Sequence, residues 1–394
     1  MEKVIQNEKV YLPDYEGGSI VNVPSSILKV FGINPPSSPL TENILPLKRY
    51  KNCSKVILFI FDSLGYNRIK ELGSLNEFKV SPLTSVFPST TTAALTSFYT
   101  AVSPSIHGMV GFRLFLKEFG LIANMIKLSP VGFVERDKLK ETGFNPKRFL
   151  PVKTIFEMLG RRGIKSFAFT RMHYYKSGLS SLMLKGAEIL PYVNIVDLFI
   201  NVRKVIIGTK GNVFITAYVD DFDTLAHYYG TKTEEEKTTI HVFFNIMKDI
   251  FLREGWDKTL ILLTGDHGQV PSPHTSKVDI RKHRWLLRNL IMPPTGEFRA
   301  SYLYLKDGSK ERLLKELSKR FSRKFIILTR DEAIELGVFG SKTMGLKNKE
   351  RLGDVILISK GEHYLFYPYS KFELKARHGG LSKNEMLVPL LVLQ

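Results

Sequence analysis

Cysteine is almost missing from this chain: Cys53 is the single one in 394 residues. One thiol excludes any intrachain disulfide, so the fold is not a disulfide scaffold of the kind small secreted domains use. No apolar run is long enough to cross a bilayer, and the first fifty residues hold no Lys/Arg-led apolar segment of the secretion type. The expectation is a cytoplasmic protein with no membrane partner. Internal repeats and low-complexity stretches are also lacking, which excludes repeat architectures.

Acidic residues are scarce beside basic ones, 38 against 57, for a formal charge of +19. That balance draws anionic partners such as nucleotides or nucleic acid. The cations are nevertheless spread out, with clusters only at 281–288 and 310–324. The second cluster has apolar residues at helical spacing, as a solvated helix face does. No aromatic-interleaved stripe or nucleic-acid-binding motif accompanies it, so nucleic acid is not the favoured partner. A length of 394 residues at 43% hydrophobic content allows one large α/β domain with an insertion, or two domains.

What is present is a set of five local settings. The run at 56–61 is uninterrupted, rich in β-branched and aromatic residues, and closes on Asp62-Ser63-Leu64-Gly65. It reads as a strand buried on both faces of a parallel sheet, with Asp62 at the carboxyl edge, where open α/β sheets bind ligands. The run at 259–264 repeats the pattern and ends in Gly265-Asp266-His267-Gly268, whose glycines permit a tight turn and close approach of a ligand. A third strand pattern runs through Tyr218 into a segment where Asp223 and His227 are four apart. On a helix these two share a face, and an oxygen with an imidazole suits zinc or a similar divalent ion. From the residues alone, Asp220 or Asp221 is an equal candidate for that ligand.

The fourth setting, Phe87-Pro88-Ser89-Thr90-Thr91-Thr92 before an Ala/Leu stretch, looks like a helix N-terminus. Backbone N–H groups and the helix dipole favour negative charge there, so a phosphate would be held while one of the hydroxyls attacks it. In the fifth, His378 precedes Gly379-Gly380 and the apolar run at 386–392. Each setting alone has a plain structural explanation: a cap, a solvated helix start, a lone structural histidine. Together they would furnish two three-ligand metal sites around one hydroxyl.

In order and content these motifs resemble the alkaline phosphatase superfamily, and within it the type I phosphodiesterase and nucleotide pyrophosphatase family, over residues 56 to 392. The resemblance implies a nucleophile at the third position after the Phe-Pro pair, which is Thr91, with Ser89, Thr90 and Thr92 as neighbours that blur the assignment. It also implies one ion on Asp62, Asp266 and His267 next to Thr91, and a second on Asp223, His227 and His378. Both are divalent, with zinc first and manganese or iron as alternatives. No histidine or other base stands beside Thr91 in sequence, so metal coordination is expected to activate the hydroxyl, and two ions would clamp the attacking and leaving oxygens. The implied activity is hydrolysis of phosphodiester or nucleotide pyrophosphate bonds in an anionic phosphate-ester or nucleotide substrate.

One departure stands out. Pyrophosphatase relatives resemble one another in an asparagine shortly after the His-Gly that follows the nucleophile helix, and here His107-Gly108 is followed by Phe112 at that place, with Arg113 next. Arg113 either replaces the amide, binding two oxygens where an amide binds one, or is a surface arginine. His107 reads as a turn residue. A phosphomonoesterase or cofactor-independent phosphosugar mutase resembles this chain around His378-Gly379-Gly380, but those relatives look like serine users at the nucleophile. A sulfatase needs a cysteine or serine there, and Cys53 is elsewhere. The alternative from another class is a protein that kept the fold to bind anions or nucleic acid without chemistry.

Strands ending at Asp62, near Tyr218 and near Thr264 alternate with helical segments at 154–161 and 234–251. The fold class is therefore α/β, an alkaline-phosphatase-like, mainly parallel central sheet with helices on both faces. Segments at 299–305, 311–321, 325–328 and 331–336 read as strand, helix, strand, helix. Within a single catalytic domain over 1–394, residues 280–365 are expected to form a small inserted α/β subdomain, a lid that selects substrate. Oligomeric state is not legible.

Overall fold

The computed structural model of the chain describes residues 1–72, 78–369 and 373–393. The apolar run at 56–61 becomes the central strand of a seven-stranded sheet. In chain order its strands are β1 (Lys55–Phe61), β2 (Val80–Thr84), β3 (Lys165–Arg171), β4 (Glu188–Tyr192), β5 (Val213–Val219), β6 (Thr259–Gly265) and β7 (Leu387–Leu393). In space they lie β2-β7-β6-β1-β5-β3-β4. The pairings from β6 across to β4 are parallel, and β7 runs against both of its neighbours, β6 and β2.

Alternation along β1 sets the layering. Val56, Leu58 and Ile60 enter one apolar core, with the helices Asn22–Val30, Thr91–Thr100 and Ile155–Gly160. Ile57, Phe59 and Phe61 enter the other, with the helices Ile195–Gly208 and Glu234–Ile246. Successive side chains of a strand point to opposite faces, so a strand covered on both faces is apolar without interruption. Phe59 meets the edges of Phe199 and Phe251 at centroid distances of 5.5 Å; removing a buried ring of this kind costs about 3–5 kcal/mol.

A second sheet is antiparallel throughout, in the order Phe325–Thr329, Val355–Ser359, Ala300–Leu303, Thr295–Gly296, Arg113–Leu116, Leu121–Asn124, Ser129–Pro130. The helix Lys310–Phe321 buries Leu313, Leu317 and Phe321 in a core with Leu303, Phe325 and Val355. The cations at 310–324 are thus mostly the outer face of an amphipathic helix. The 280–365 range supplies only part of this sheet, because three strands from 113–130 extend it through the pair Gly296–Arg113. Pairing between such distant segments leaves no local mark in a sequence.

The two sheets are joined by Arg299, fully buried. Its Nε and Nη2 reach the two carboxylate oxygens of Glu385 at 2.6 and 2.9 Å, and its Nη1 donates to the His363 carbonyl at 2.7 Å. Among the described residues no helix is long and apolar enough to cross a membrane.

Candidate active site

Parallel register brings three carboxylates to one sheet edge. Phe61, Val219 and Gly265 stand level at the ends of β1, β5 and β6, so Asp62, Asp220 and Asp266 are the next residues out. Asp220 is already engaged: Arg171 Nε reaches it at 2.7 Å and the Tyr174 hydroxyl donates to it at 3.1 Å. The same guanidinium pairs with Asp221. Asp223 remains, in the first turn of the helix Asp221–Tyr229, with His227 one turn further on and its Nε2 3.2 Å from Asp223 Oδ2. The glycines around Asp266-His267 serve the chain itself. A Cβ on Gly265 would stand 2.3 Å from the Leu64 carbonyl oxygen, and one on Gly268 2.0 Å from that of Asn384. The close approach these glycines permit includes that of neighbouring backbone.

All three imidazoles turn the same atom inward. Nδ1 of His227, His267 and His378 faces the carbonyl oxygens of Ala376, Gly268 and Ser89 at 2.9, 3.2 and 3.0 Å. A carbonyl only accepts, so each Nδ1 carries the proton and each Nε2 offers a lone pair. Asp266 is divided likewise. Its Oδ1 accepts from the backbone N–H of Ser63 and of His267 at 3.0 and 2.8 Å, while Oδ2 is buried with no hydrogen-bond partner among the described residues, His267 Nε2 lying 3.5 Å from it. The ligand atoms of Asp62, Asp266 and His267 lie within 4.8 Å of one another, and so do those of Asp223, His267 and His378. An orphaned carboxylate oxygen beside inward Nε2 lone pairs fits a divalent cation. The resemblance puts His227 where this second grouping has His267, whose ring stacks on His378 at 3.9 Å. His227 touches the same carboxylate, so the six residues form one contiguous cluster.

Charge in the cluster is unbalanced. Burial, then the neighbouring Asp223 and Asp266, push Asp62 well above the ordinary carboxylate range, and burial raises Asp266 to about 7. Burial also lowers His267 to about 4 and holds His378 well below the usual imidazole value, with His267 adding to the effect. Asp223 goes the other way: burial opposes its ionisation, but the imidazoles of His227, His378 and His267 outweigh it and lower its pKa.

Thr91 is the hydroxyl that meets this cluster. It opens the helix Thr91–Thr100, and its Oγ1 is 3.1 Å from His267 Nε2 and 3.3 Å from Asp62 Oδ2. Its neighbours are occupied elsewhere: Ser89 donates to the Gly380 carbonyl at 2.8 Å, Thr92 to that of Gly111 at 3.1 Å, and Thr90 bonds Glu297. Thr90 stands at the cap position without a side-chain capping bond, so the hydroxyl run is not a simple cap. A small cavity beside Thr91 is lined by Leu95, Tyr99, Met183 and Tyr218.

Arg113 is buried rather than on the surface, its guanidinium 5.0, 4.4 and 4.7 Å from the rings of Phe112, Phe298 and Tyr369. Phe112 and Arg113 line a cleft with Asp223, His227 and His378. His107 belongs to the core: Nε2 faces Ser97 Oγ at 2.9 Å, Nδ1 accepts from the Met109 N–H at 3.0 Å, and burial lowers its pKa to about 3. Sequence reasoning missed Tyr218, which donates to Asp62, and Gln269, which donates to Asp223. Both sit in runs already singled out, and their polarity at a strand end or beside a ligand was the available signal. Arg377 had a weaker signal as the neighbour of His378. Glu297 and Phe298 had none.

The fold has known counterparts. Murine ectonucleotide pyrophosphatase / phosphodiesterase 5 superposes with a TM-score of 0.64 at 16% identity, over 86% of this chain and 87% of that one. An inactive threonine-to-alanine form of the murine protein, in complex with AMP, gives 0.63 at 15% identity over the same shares. Phosphonoacetate hydrolase from Sinorhizobium meliloti 1021, in complex with phosphonoformate, gives 0.62 at 18%, over 86% of this chain and 89% of that one. No curated protein sequence matches the chain. The sequence model that does match is that of a phosphoric-ester hydrolase family, over residues 56–381. On that match the chain belongs to the type I phosphodiesterase / nucleotide pyrophosphatase family.

Proposed function

We propose that this protein is a metal-dependent hydrolase of phosphodiester or nucleotide pyrophosphate bonds, with Thr91 as nucleophile and two divalent ions held by the Asp/His cluster. The observation that carries the reading is the position of Thr91 Oγ1, at a helix N-terminus and 3.1 Å from His267 Nε2. Asp62, Asp266 and His267 would hold one ion, and Asp223, His227 and His378 the other, zinc being the first candidate. When bound, such ions lower the pKa of a coordinated hydroxyl or water and neutralise charge on a transferring phosphoryl group.

The chain's own groups then account for the rest. The helix start presents free backbone N–H groups and a positive dipole end to the phosphoryl oxygens. Asp62 and His267 stand within reach of the Thr91 proton, and Tyr218, donating to Asp62, fixes the orientation of that carboxylate. Thr91 Oγ1 attacks phosphorus, the alcohol or phosphate leaves, and water then releases the phosphoryl group from Thr91 with the enzyme restored. The murine relative's inactive threonine-to-alanine form and its AMP complex support a nucleotide or similar phosphate-ester substrate.

The test compares a thymidine 5′-monophosphate aryl ester, a bis-aryl phosphate and an aryl monophosphate, using wild type, Thr91→Ala and chelator-treated protein. Diester turnover is expected to dominate and to fall on the order of a thousandfold or more in Thr91→Ala, with metal content unchanged. Turnover that survives the substitution removes Thr91 from the role. A preference for the monoester shifts the assignment to a phosphatase.

A further inference from the structure

Two openings lie at the site, one at Thr91 and one at the cluster. One is lined by Thr91 with Leu95, Tyr99 and Tyr218. The other, about 550 Å³, is lined by Asp223, His227 and His378 together with Arg113, Glu297 and Arg377, and Thr91 is not part of it. We infer that the second opening is a subsite for an oxyanion, a carboxylate or a phosphate, carried by the leaving portion of the substrate and gripped by Arg113 and Arg377. This rests on Thr91 as nucleophile, because in-line displacement sends the leaving group away from the attacking oxygen.

Arg113 and Arg377 are 8% and 3% exposed. They share one aromatic wall, their guanidinium carbons lying 4.4 and 5.3 Å from the Phe298 ring centroid, with Tyr364 a further 3.9 Å contact for Arg377. Stacking engages the faces of a guanidinium and leaves its N–H edge for oxygens. Among the described residues neither arginine forms an ion pair. Arg377 Nη1 donates to the Leu374 carbonyl at 2.7 Å, and its Nε is buried with no partner. Arg299, fully buried, has the Glu385 carboxylate across its Nε and Nη2.

An unpaired buried charge is costly, and two of like sign in one cleft more so. The carboxyl closest in sequence to the aromatic wall, Glu297, is raised to about 7 by burial even though the nearby Arg113 opposes the shift, and its Oε1 accepts from the Phe112 N–H at 2.7 Å. Asp223, the other carboxylate on the cleft, faces imidazoles. Among the described residues neither of these carboxylates is an ion-pair partner of the two guanidinium groups, whose forks match the paired oxygens of a carboxylate or phosphate. Its volume suits a small organic acid.

The test is calorimetric, on the metal-loaded full chain, with three ligands that do not turn over: ethylphosphonate, 3-phosphonopropionate and methylenebisphosphonate. The readout is the affinity of each two-acid ligand relative to ethylphosphonate. In wild type at least one ratio is expected to be tenfold or more, and the ligand that shows it tells carboxylate from phosphate. In Arg377→Gln and Arg113→Gln that ratio is expected to collapse toward one, with Arg377→Lys intermediate because charge remains without the fork. A wild-type ratio near one overturns the subsite, and so does a ratio that survives both Gln variants. Ethylphosphonate binding shows in the same titration that a variant is folded; if a Gln variant fails this, Arg377→Lys carries the decision. Thr91→Ala separates the two readings: it should keep the ratio and lose turnover, and if it keeps turnover the nucleophile assignment falls while the ratio still decides the subsite.

Discussion

The two halves of the Asp/His cluster are built from opposite materials. Asp62, Asp266 and His267 leave the ends of buried parallel strands, their side chains 3%, 0% and 0% exposed. Asp223 and His227 sit on a helix and His378 on a loop, at 16%, 18% and 12%. The first half pairs two carboxylates with one imidazole, and the second one carboxylate with two. In the first, burial raises both acids and the nearby Asp223 adds to each; in the second, imidazoles hold the acid down. The difference teaches that burial sets the acids of the first half against ionisation, whereas the acid of the second sits among imidazoles that favour it.

That contrast breaks most visibly at His267, which lies within ligand distance of both groupings. His267→Ala is expected to drop bound metal from about two ions per chain to less than one, while Asp62→Asn and His227→Asn each leave about one. Elemental analysis after dialysis reads this directly. Equal losses in all three variants would erase the distinction between the halves.

Glu297 sharpens it by offering a buried acid outside the cluster. Its folded value, about 7, lies above the unfolded one, so the folded state favours the neutral acid. The stability it contributes is full below about pH 4 and is lost as pH rises toward 7, because the folded state then holds a proton the unfolded state has released. Glu297→Gln is expected to gain on wild type between pH 5 and pH 8 by on the order of 3 kcal/mol, measured by denaturant melts of metal-free protein. A difference that stays constant over that interval would mean the carboxyl ionises normally.

The smallest effects belong to the supporting donors. Tyr218→Phe is expected to weaken only the ion at the Asp62 group, and Gln269→Leu only the ion at the Asp223 group, by about tenfold each. Competition with a fluorescent chelator resolves such shifts. Cross-effects of equal size would show that the halves are not separable.

What the sequence made legible follows from chain proximity. β1 and β6 announced themselves because a strand buried on both faces needs an unbroken apolar run, and their ends carried Asp62 and Asp266. What sets Asp223 apart from Asp220 and Asp221 is Arg171, on another strand, which pairs with both of the latter. Thr91 could not be separated physically from Ser89, Thr90 and Thr92 without their partners Gly380, Glu297 and Gly111. The Arg113 and Arg377 cleft was invisible for the same reason: its aromatic wall, Phe298, comes from a third segment with no periodic signature. Local pattern reads what one element buries, and is silent on which distant elements meet.

The threading of the central sheet has a consequence for biogenesis. β2, which leads into the Thr91 helix, pairs within the sheet only with β7, and β7 slots between β2 and β6. Contacts of such long sequence separation form slowly. A nascent chain can assemble the sheet from β6 across to β4, with Asp62 and Asp266 in place, while the segment bearing the hydroxyl still lacks its anchor. Competence to react would then wait on residues 378–393, which carry both His378 and the strand that anchors β2.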